Sequence, residues 1–409
     1  MNITKKSALV FSALLLNSIA FAQVKISYKG NGNYSLVERT DLRRYDNGKY
    51  TGLVSREVRS FITQKSAGNN GENFYEGNFY VYQQTKKNQL YVEKPLQDSI
   101  PSSFTINSDG EMIMHEDNGY PSFRTFPALA KEEICIGDSW VATAERSVDP
   151  LNKNIPTKMP VTIQYTYLKD EQFNGEDVCV FGAKWATRYG ISYFDFDGDT
   201  ELKSASGSHN ATMYISKTTG NALVVRDTVD ESFVYADGNT VSFKGSISLF
   251  TEYPPGLDKG KVMASIKRSK FISADDFENG GIKNVTVKET ESGLMLTMKN
   301  LQFKMDSAEL LENENQRLDE IAAVLKEVPE FSFLVEGHTA STGYIAGEKK
   351  LSLERAHAIA KELIKRGVAE EKIICKGSGA SKPVADNSTP EGKALNRRVE
   401  ITILQGTSK

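Results

Sequence analysis

The feature that most constrains the fold is an alternation of apolar and polar residues between residues 23 and 253. In residues 161–167, Val, Ile and Tyr alternate with Thr and Gln, and residues 241–249 place Val, Phe, Ile and Leu opposite Ser and Lys. A period of two with one apolar face indicates antiparallel strands packed on one side. Asn-Gly and Asp-Gly pairs recur between such runs, as expected of hairpin turns. Residues 23–253 are therefore predicted to form a β-rich antiparallel region.

The alternation breaks at residues 121–133, which read PSFRTFPALAKEE, and resumes at residues 134–141. A boundary between two β lobes near residues 120–135 would explain the break, and so would a long loop within one large sheet. We favour a single β-rich unit of two halves. The region is rich in aromatic residues, which fit a sheet core and also an apolar groove for a lipid or a partner strand. They include Phe74, Tyr75, Phe79, Tyr80, Tyr82, Tyr91, Tyr193 and Phe194.

The first 22 residues have the pattern of a secretory signal. Two lysines, Lys5 and Lys6, precede an apolar run at residues 8–16, and Ala20-Phe21-Ala22 forms a small-x-small cleavage site. The apolar run is shorter than the roughly 18 residues that a membrane span needs. We therefore expect export, cleavage after Ala22, and a location in the periplasm, associated with the outer membrane or the cell wall.

Composition excludes several classes of function. The 409 residues carry a formal net charge of -3, without the basic excess expected of a protein that binds nucleic acid. The sequence shows no motif of a known catalytic centre, phosphate loop or metal site, so we expect no enzyme activity, cofactor or metal. Four carboxylates in residues 195–201 suggest calcium, but an Asp-Gly hairpin explains them better. His115 and His209 are predicted to lie on the surface.

The three cysteines leave their redox state open. In an oxidising compartment Cys135 and Cys179 could pair, and Cys375 would then remain. Three partly buried thiols on strands are the simpler interpretation.

The composition changes between residues 254 and 284, where Pro254-Pro255-Gly256 ends the last strand and Gly280-Gly281 precedes the next. We interpret this stretch as a linker with a short helix near residues 274–277. From residue 285 the pattern becomes mixed, with strands and two amphipathic helices. One of these helices is expected to end at Pro329 and the other to be capped by Ser352.

Three motifs follow one another in this last region. They are Gly337-His338-Thr339 at the end of a strand, Leu351-Ser352-x-x-Arg355-Ala356, and Asn396-Arg397-Arg398-Val399. In this order they resemble the OmpA-like domain, a peptidoglycan-associating module. The resemblance implies an α/β sandwich over residues 285–409, and peptidoglycan as the partner.

The resemblance also implies a binding site for the diamino acid of the peptidoglycan stem. Arg355 matches the family arginine that takes the ligand carboxylate, and the helix start at Ser352 would offer backbone N–H groups. The family aspartate that takes the ammonium is replaced by Ala340, for which Glu348 or Glu336 could substitute. The predicted ligand-binding residues are Gly337, His338, Thr339, Ala340, Glu348, Arg355, Arg397 and Arg398, with the two last arginines shared between ligand and structural roles.

The sequence thus predicts a non-catalytic envelope protein that binds peptidoglycan through its carboxy-terminal domain. One alternative is that this domain is a scaffold without binding activity, while the β-rich region binds a lipid or a protein partner, such as an outer-membrane protein. A second alternative is an integral outer-membrane β-barrel followed by a periplasmic OmpA-like domain. Charged positions such as Arg56-Glu57 in the β-rich region argue against lipid-facing strands.

Overall fold

The computed structural model describes residues 23–68, 71–87, 90–93, 99–190, 198–268, 285–290, 292–299, 303 and 307–405. The predicted signal segment, the predicted helix at residues 274–277, Tyr193, Phe194 and most of the acidic run at residues 195–201 lie outside this description. No helix in the described ranges is both long enough and apolar enough to cross a membrane.

The amino-terminal region is one large antiparallel sheet, as the alternation predicted. Its described strands are β1 (Tyr34–Asp46), β2 (Lys49–Ala67), β3 (Asn73–Lys87), β4 (Leu90–Glu93), β5 (Ile100–Ile106), β6 (Met112–Glu116), β7 (Phe123–Arg124), β8 (Ser139–Val148), β9 (Thr157–Phe173), β10 (Glu176–Gly190), β11 (Leu202–Ser216), β12 (Ala222–Tyr235) and β13 (Thr240–Glu252). The order is β6-β5-β3-β2-β1-β13-β12-β11-β10-β9-β8-β7, with β4 paired to β3. Pairing of β1 with β13 joins the two halves, so the break near residues 120–135 is a connection within one sheet.

The sheet curls around a single apolar core. Tyr75 on β3 and Tyr165 on β9 are both completely buried, and both belong to this core. The segment between β6 and β8 lies across the two ends of the sheet. Its Tyr120 carbonyl accepts a hydrogen bond from Ser102 on β5 at 2.8 Å, and its Thr125 hydroxyl accepts one from the Met112 amide on β6 at 3.0 Å.

The two faces of the sheet differ sharply in polarity. On β9 the buried side chains are Met159, Val161, Ile163, Tyr165 and Tyr167, whereas the exposed positions between them carry proline, threonine and glutamine. Strand β12 repeats this pattern, with exposed Arg226, Thr228 and Asp230. The outward side is polar, and the core-facing side is apolar except at buried charged positions such as Asp227 and Glu231 of β12.

The carboxy-terminal region combines a mixed sheet with helices. Its strands are β14 (Val285–Thr290), β15 (Gly293–Met298), β16 (Ser332–Gly337), β17 (Ile373–Gly377) and β18 (Val399–Leu404), in the order β14-β15-β18-β16-β17. The helices are α1 (Lys259–Arg268), α2 (Asn315–Lys326), α3 (Ile345–Lys365) and α4 (Pro390–Asn396), with 3₁₀ turns at Glu312–Glu314 and Glu370–Lys372. Only β16 and β17 run parallel.

Two helical predictions need correction or extension. Helix α3 begins at Ile345, so Ser352 does not cap it but lies seven residues after its first residue. The predicted linker contains α1, whose Val262 is buried in the core of the carboxy-terminal region together with Leu257. Apolar packing therefore extends this unit backwards into residues 254–284.

The carboxy-terminal sheet is covered on both faces. Phe333 and Val335 of β16 belong to the core that includes the helices, while the intervening Leu334 packs with Ile374 and Leu404 against the amino-terminal sheet. Alternation along one strand thus serves two interfaces.

No disulfide links the three cysteines, so the pairing of Cys135 with Cys179 is not formed. Cys179 and Cys375 are buried on β10 and β17, whereas Cys135 is half-buried in the connection before β8.

Candidate functional site

The first predicted motif forms a buried turn at the end of β16. The His338 amide donates to the Arg398 carbonyl and the Thr339 amide donates to the Gly379 carbonyl, each at 2.9 Å. A side chain at Gly337 could not be accommodated, because a Cβ there would lie 2.0 Å from the Ser352 carbonyl oxygen. The structure therefore brings all three predicted motifs together around this turn.

Ala340 continues the turn, with only 7% of its surface exposed. Its methyl group offers neither a charge nor a hydrogen-bond acceptor at the position where the resemblance implies a carboxylate.

Glu348, the first candidate replacement, holds the adjacent loop. Its Oε1 accepts from the Gly343 amide at 3.0 Å and from the Thr342 hydroxyl at 2.9 Å, and also from the Thr342 amide. The Thr342 amide, with the other donors of the loop, holds the pKa of Glu348 below its usual value. This carboxylate is committed to loop structure.

Glu336, the second candidate, lies on β16 and is also committed. Its Oε1 accepts from the Ser378 hydroxyl and pairs with Lys382 at 2.8 Å and with Lys376 at 3.7 Å. Burial alone would raise the pKa of Glu336, but Lys376, Lys382 and Ser378 together lower it. Neither candidate carboxylate stands in for the missing aspartate without losing these partners.

Arg355 lies on α3 against the segment that precedes α2. Its guanidinium carbon is 4.8 Å from the centre of the Phe303 ring, and its Nε donates to the Ser307 carbonyl at 3.3 Å. One turn earlier, the buried Ser352 hydroxyl accepts from the Gly379 amide at 2.9 Å. The serine therefore ties α3 to the loop after β17, and Arg355 follows on the same side of the helix.

The two arginines of the third motif have different environments. Arg398 is 4% exposed, and it donates to Glu400 at 2.7 Å and to the Lys382 carbonyl at 3.1 Å, which is the structural role that the sequence left open. Arg397 is exposed. Asn396 is completely buried, and its side chain accepts from the Val384 amide at 2.8 Å.

Several buried polar atoms at this turn have no hydrogen-bond partner among the described residues. They are the Thr339 hydroxyl, Arg398 Nη1 and His338 Nδ1, whereas His338 Nε2 lies 3.3 Å from Glu400 Oε2. Buried polar atoms in folded proteins are rarely left unsatisfied. Their concentration here marks the turn as a place where a ligand or water supplies partners.

Glu336, His338 and Glu400 place three possible metal-ligand atoms within 4.8 Å of one another. Lys376 and Lys382 face Glu336, and Arg398 pairs with Glu400. With three cations against two carboxylates, the charge of this cluster disfavours a metal ion.

Comparison with known proteins agrees with this geometry, because the OmpA family matches residues 302–397. Residues 302–397 are an OmpA family domain. The matched residues include the Gly-His-Thr turn, Arg355 and the first two residues of the third motif, Asn396 and Arg397.

The chain has relatives in several bacteria. It is 42% identical over 120 residues to a probable lipoprotein, YiaD, of Escherichia coli, covering 29% of this chain and 55% of that protein. It is 40% identical over 104 residues to outer membrane porin F of Pseudomonas aeruginosa, covering 25% and 30%. It is 39% identical over 103 residues to the peptidoglycan-binding protein ArfA of Mycobacterium tuberculosis, covering 25% and 32%. The chain spans about half or less of the length of these relatives.

Among solved structures, the cell wall anchor of the type VI secretion system of Pseudomonas aeruginosa is 29% identical, with a TM-score of 0.29, covering 34% of this chain and 98% of that one. An outer membrane protein of Borrelia burgdorferi is 34% identical, with a TM-score of 0.26, covering 30% and 97%.

Sequence reasoning missed a charged cluster in the core of the amino-terminal sheet. His209 is 3% exposed, so its predicted surface position is wrong, whereas His115 is exposed as predicted. The His209 ring lies between Asp227, 2.6 Å from Nδ1, and Glu231, 2.8 Å from Nε2, and it stacks on Trp185. Arg146 pairs with the same Glu231.

The groups of the cluster shift one another's pKa values, and burial raises the pKa of Asp227 in spite of His209 and Arg146. Burial lowers the pKa of His209, but Asp227 and Glu231 more than reverse this and raise it. Burial raises the pKa of Glu231, and Arg146 and His209 outweigh that effect and lower it strongly. The cluster fits a structural role, because its charges pair with one another inside the sheet core. The polar residues at these strand positions could be seen in the sequence. Only the arrangement of β8, β11 and β12 in the folded sheet brings them together.

Proposed function

We propose that this chain is an exported envelope protein whose OmpA domain binds peptidoglycan non-covalently, through the carboxylate of the stem diamino acid. The observation that carries this proposal is the placement of Arg355, whose guanidinium is supported by the Phe303 ring and by the Ser307 carbonyl. A planar guanidinium held in this way can give two parallel hydrogen bonds to a carboxylate. The peptidoglycan-binding relative ArfA supports the same assignment.

In the proposed binding mode the protein pairs with the carboxylate of the diamino acid but not with its ammonium group. Ala340 provides no partner for the ligand ammonium, and Glu348 and Glu336 are engaged elsewhere. The ammonium would remain hydrated, and the interaction with Arg355 would dominate. The unsatisfied Thr339 hydroxyl is an additional donor or acceptor for the ligand.

This mode can be tested with two peptides and the mature chain from Gln23. One is a stem tripeptide ending in a diamino acid that carries a side-chain carboxylate, and the other has lysine in its place. Lysine keeps the ammonium and lacks the carboxylate, so we expect it to bind about tenfold to a hundredfold more weakly, the equivalent of a lost charged hydrogen bond. Calorimetry giving equal affinities for the two peptides would contradict the proposal.

A non-binding scaffold is the second candidate function, and the buried methyl group of Ala340 favours it. In that case the OmpA domain would support the amino-terminal sheet, which would bind a lipid or a protein partner. Lack of binding to either stem peptide and to purified peptidoglycan would favour this candidate.

For the amino-terminal sheet we propose a water-facing outer surface. The outward positions of β9 and β12 are polar, as at Gln164, Arg226 and Asp230, and the enclosed side is mainly apolar apart from the cluster around His209. Strands that face lipid have the opposite arrangement. Extraction of the mature chain from envelopes by salt without detergent is the expected result. A requirement for detergent would contradict the proposed surface and support the membrane-inserted alternative.

A further inference from the structure

Two large apolar side chains stand in solvent beside the proposed site. Tyr344 and Ile345 are 69% and 70% exposed, directly after the loop that follows Ala340 and at the first residue of α3. Together they form an exposed apolar patch at the amino-terminal end of α3.

The Tyr344 ring lies over Gly347, in the first turn of α3. A Cβ at position 347 would lie 2.3 Å from Cδ1 of this ring, so any other residue there would displace the ring from this position. Glycine within a helix is about 1 kcal/mol less favourable than alanine. Gly347 thus makes α3 less stable than alanine would, but it leaves room for the Tyr344 ring, which remains exposed to solvent.

The loop before Tyr344 is also held in place. The Glu348 carboxylate accepts from the Thr342 and Gly343 amides, and the Asn387 side chain accepts from the Ser341 amide at 3.0 Å. Tyr344 therefore projects from a loop with few free backbone groups, and it is preorganised for contact with a ligand.

The distance to Arg355 suits an extended ligand. Eleven residues separate Tyr344 from Arg355, which at about 1.5 Å per residue corresponds to roughly 16 Å along α3. A three-residue extended peptide covers roughly 10 Å. The remaining distance of roughly 6 Å is about the length of the diamino acid's own side chain, so a stem whose side-chain carboxylate meets Arg355 would place the sugar that carries it close to Tyr344.

We propose that Tyr344 is a stacking platform for a pyranose ring of the glycan, so that the site takes a sugar at Tyr344 and the stem diamino acid at Arg355. This inference rests on the proposed function and extends it from the peptide to the saccharide. A tyrosine ring provides a flat apolar surface at low entropic cost, suited to the C–H face of a sugar. The continuity of this surface with the loop at Ala340 is what favours a sugar over an unrelated protein partner.

The test compares two soluble probes on the full mature chain, a disaccharide-peptide and the same stem peptide without sugar. For Tyr344→Ala we expect affinity for the disaccharide-peptide to fall roughly threefold to tenfold, the size of an aromatic contact, with the sugar-free peptide unaffected. Tyr344→Phe should retain binding. Gly347→Ala should weaken only the disaccharide-peptide while leaving the helix at least as stable. Tyr50→Ala, at another exposed tyrosine on β2, is the matched control.

Two results would overturn the platform. Equal losses for both probes would show that Tyr344 only shapes the loop, and unchanged affinities would show that it contacts no sugar. If the unmodified chain binds neither probe nor purified peptidoglycan, the proposed function fails together with this inference. Full-strength binding of both probes by every variant would reject the platform alone.

Discussion

Arg59 of the amino-terminal sheet donates from Nη1 to the backbone carbonyl of Ile373 at 2.5 Å, on the edge strand of the OmpA domain. The same nitrogen donates to the Glu370 carbonyl at 2.7 Å, and the guanidinium lies 5.0 Å over the Tyr82 ring. Tyr82 in turn accepts from the Cys375 amide at 3.2 Å. Charged hydrogen bonds therefore reinforce the apolar contact between the two units.

Arg59→Ala should loosen this contact, because two carbonyls lose a charged donor worth about 1.5–3 kcal/mol in such bonds. We expect hydrogen exchange of the Cys375 amide to accelerate by about tenfold or more. Arg39→Ala is the control. Arg39 pairs with Glu57 at 2.8 Å and Arg59 pairs with the same carboxylate at 2.5 Å, but Arg39 lies outside the contact between the two units. Equal acceleration in both variants would show that Arg59 does not hold the units together.

The buried charges of the amino-terminal sheet make a second prediction. Glu231→Gln would leave Arg146 and His209 without a common counter-charge in the core, so the free energy of unfolding should fall by about 3–5 kcal/mol. Glu201→Gln, which removes a largely exposed partner of Lys153, should cost at most about 1 kcal/mol. Denaturant unfolding of both variants checks this, and similar small losses would mean that the cluster contributes little.

Local pattern was sufficient for the strands but not for their long-range contacts. Residues 161–167 showed their buried face directly, because side chains alternate along a strand. The burial of His209 depends on β11 pairing with both β10 and β12, which no local window contains. The burial of Leu334 likewise depends on residues more than 250 positions earlier in the chain, because Phe61 and Tyr80 belong to the same apolar cluster.

The OmpA domain should lose stability in acid through Glu400. Burial raises the pKa of this carboxyl, but His338 and Arg398 more than offset it and lower it to about 2. A lowered pKa gives stability that is present above the unfolded value near 4.5 and is lost as the pH falls through about 2.

The shift corresponds to stabilisation on the order of 3 kcal/mol at neutral pH. Unfolding of the wild type and Glu400→Gln should differ by this amount at pH 6, and the difference should shrink toward zero near pH 2. Glu391→Gln, on the exposed side of α4, provides the baseline. A difference that is constant with pH would refute the charged interaction.

Restoring a carboxylate beside the Gly-His-Thr turn should strengthen binding. In Ala340→Asp the new side chain can pair with the ligand ammonium, which is worth about 1.5–3 kcal/mol, or roughly tenfold to a hundredfold in affinity. Ser341→Asp places the same charge one residue later, on an exposed side chain, and should have a much smaller effect. Calorimetry with the diamino acid tripeptide provides the measurement. No gain at position 340 would mean that the ammonium does not reach this turn.

The sequence motifs located the candidate site, whereas the roles of its members depended on partners. The Leu-Ser pair suggested a helix start at Ser352, but α3 begins at Ile345, and Glu348 holds the loop at Thr342 and Gly343, ten and nine residues before Ser352. Glu348 and Glu336 were equally plausible replacements for the missing aspartate until their donors were known. Burial separated Arg398 from Arg397, which adjacent identical residues cannot reveal.

The proposed peptidoglycan site is tested most directly by retention of the full mature chain on purified peptidoglycan, measured for the wild type, Arg355→Ala and Arg397→Ala. Because Arg355 provides the proposed carboxylate contact, we expect its loss to reduce retention at least tenfold. Arg397→Ala, which removes an exposed arginine of the same charge, should retain most of the binding. Unchanged retention of Arg355→Ala would contradict the proposed site, and failure of the wild type to bind would make the OmpA domain a scaffold.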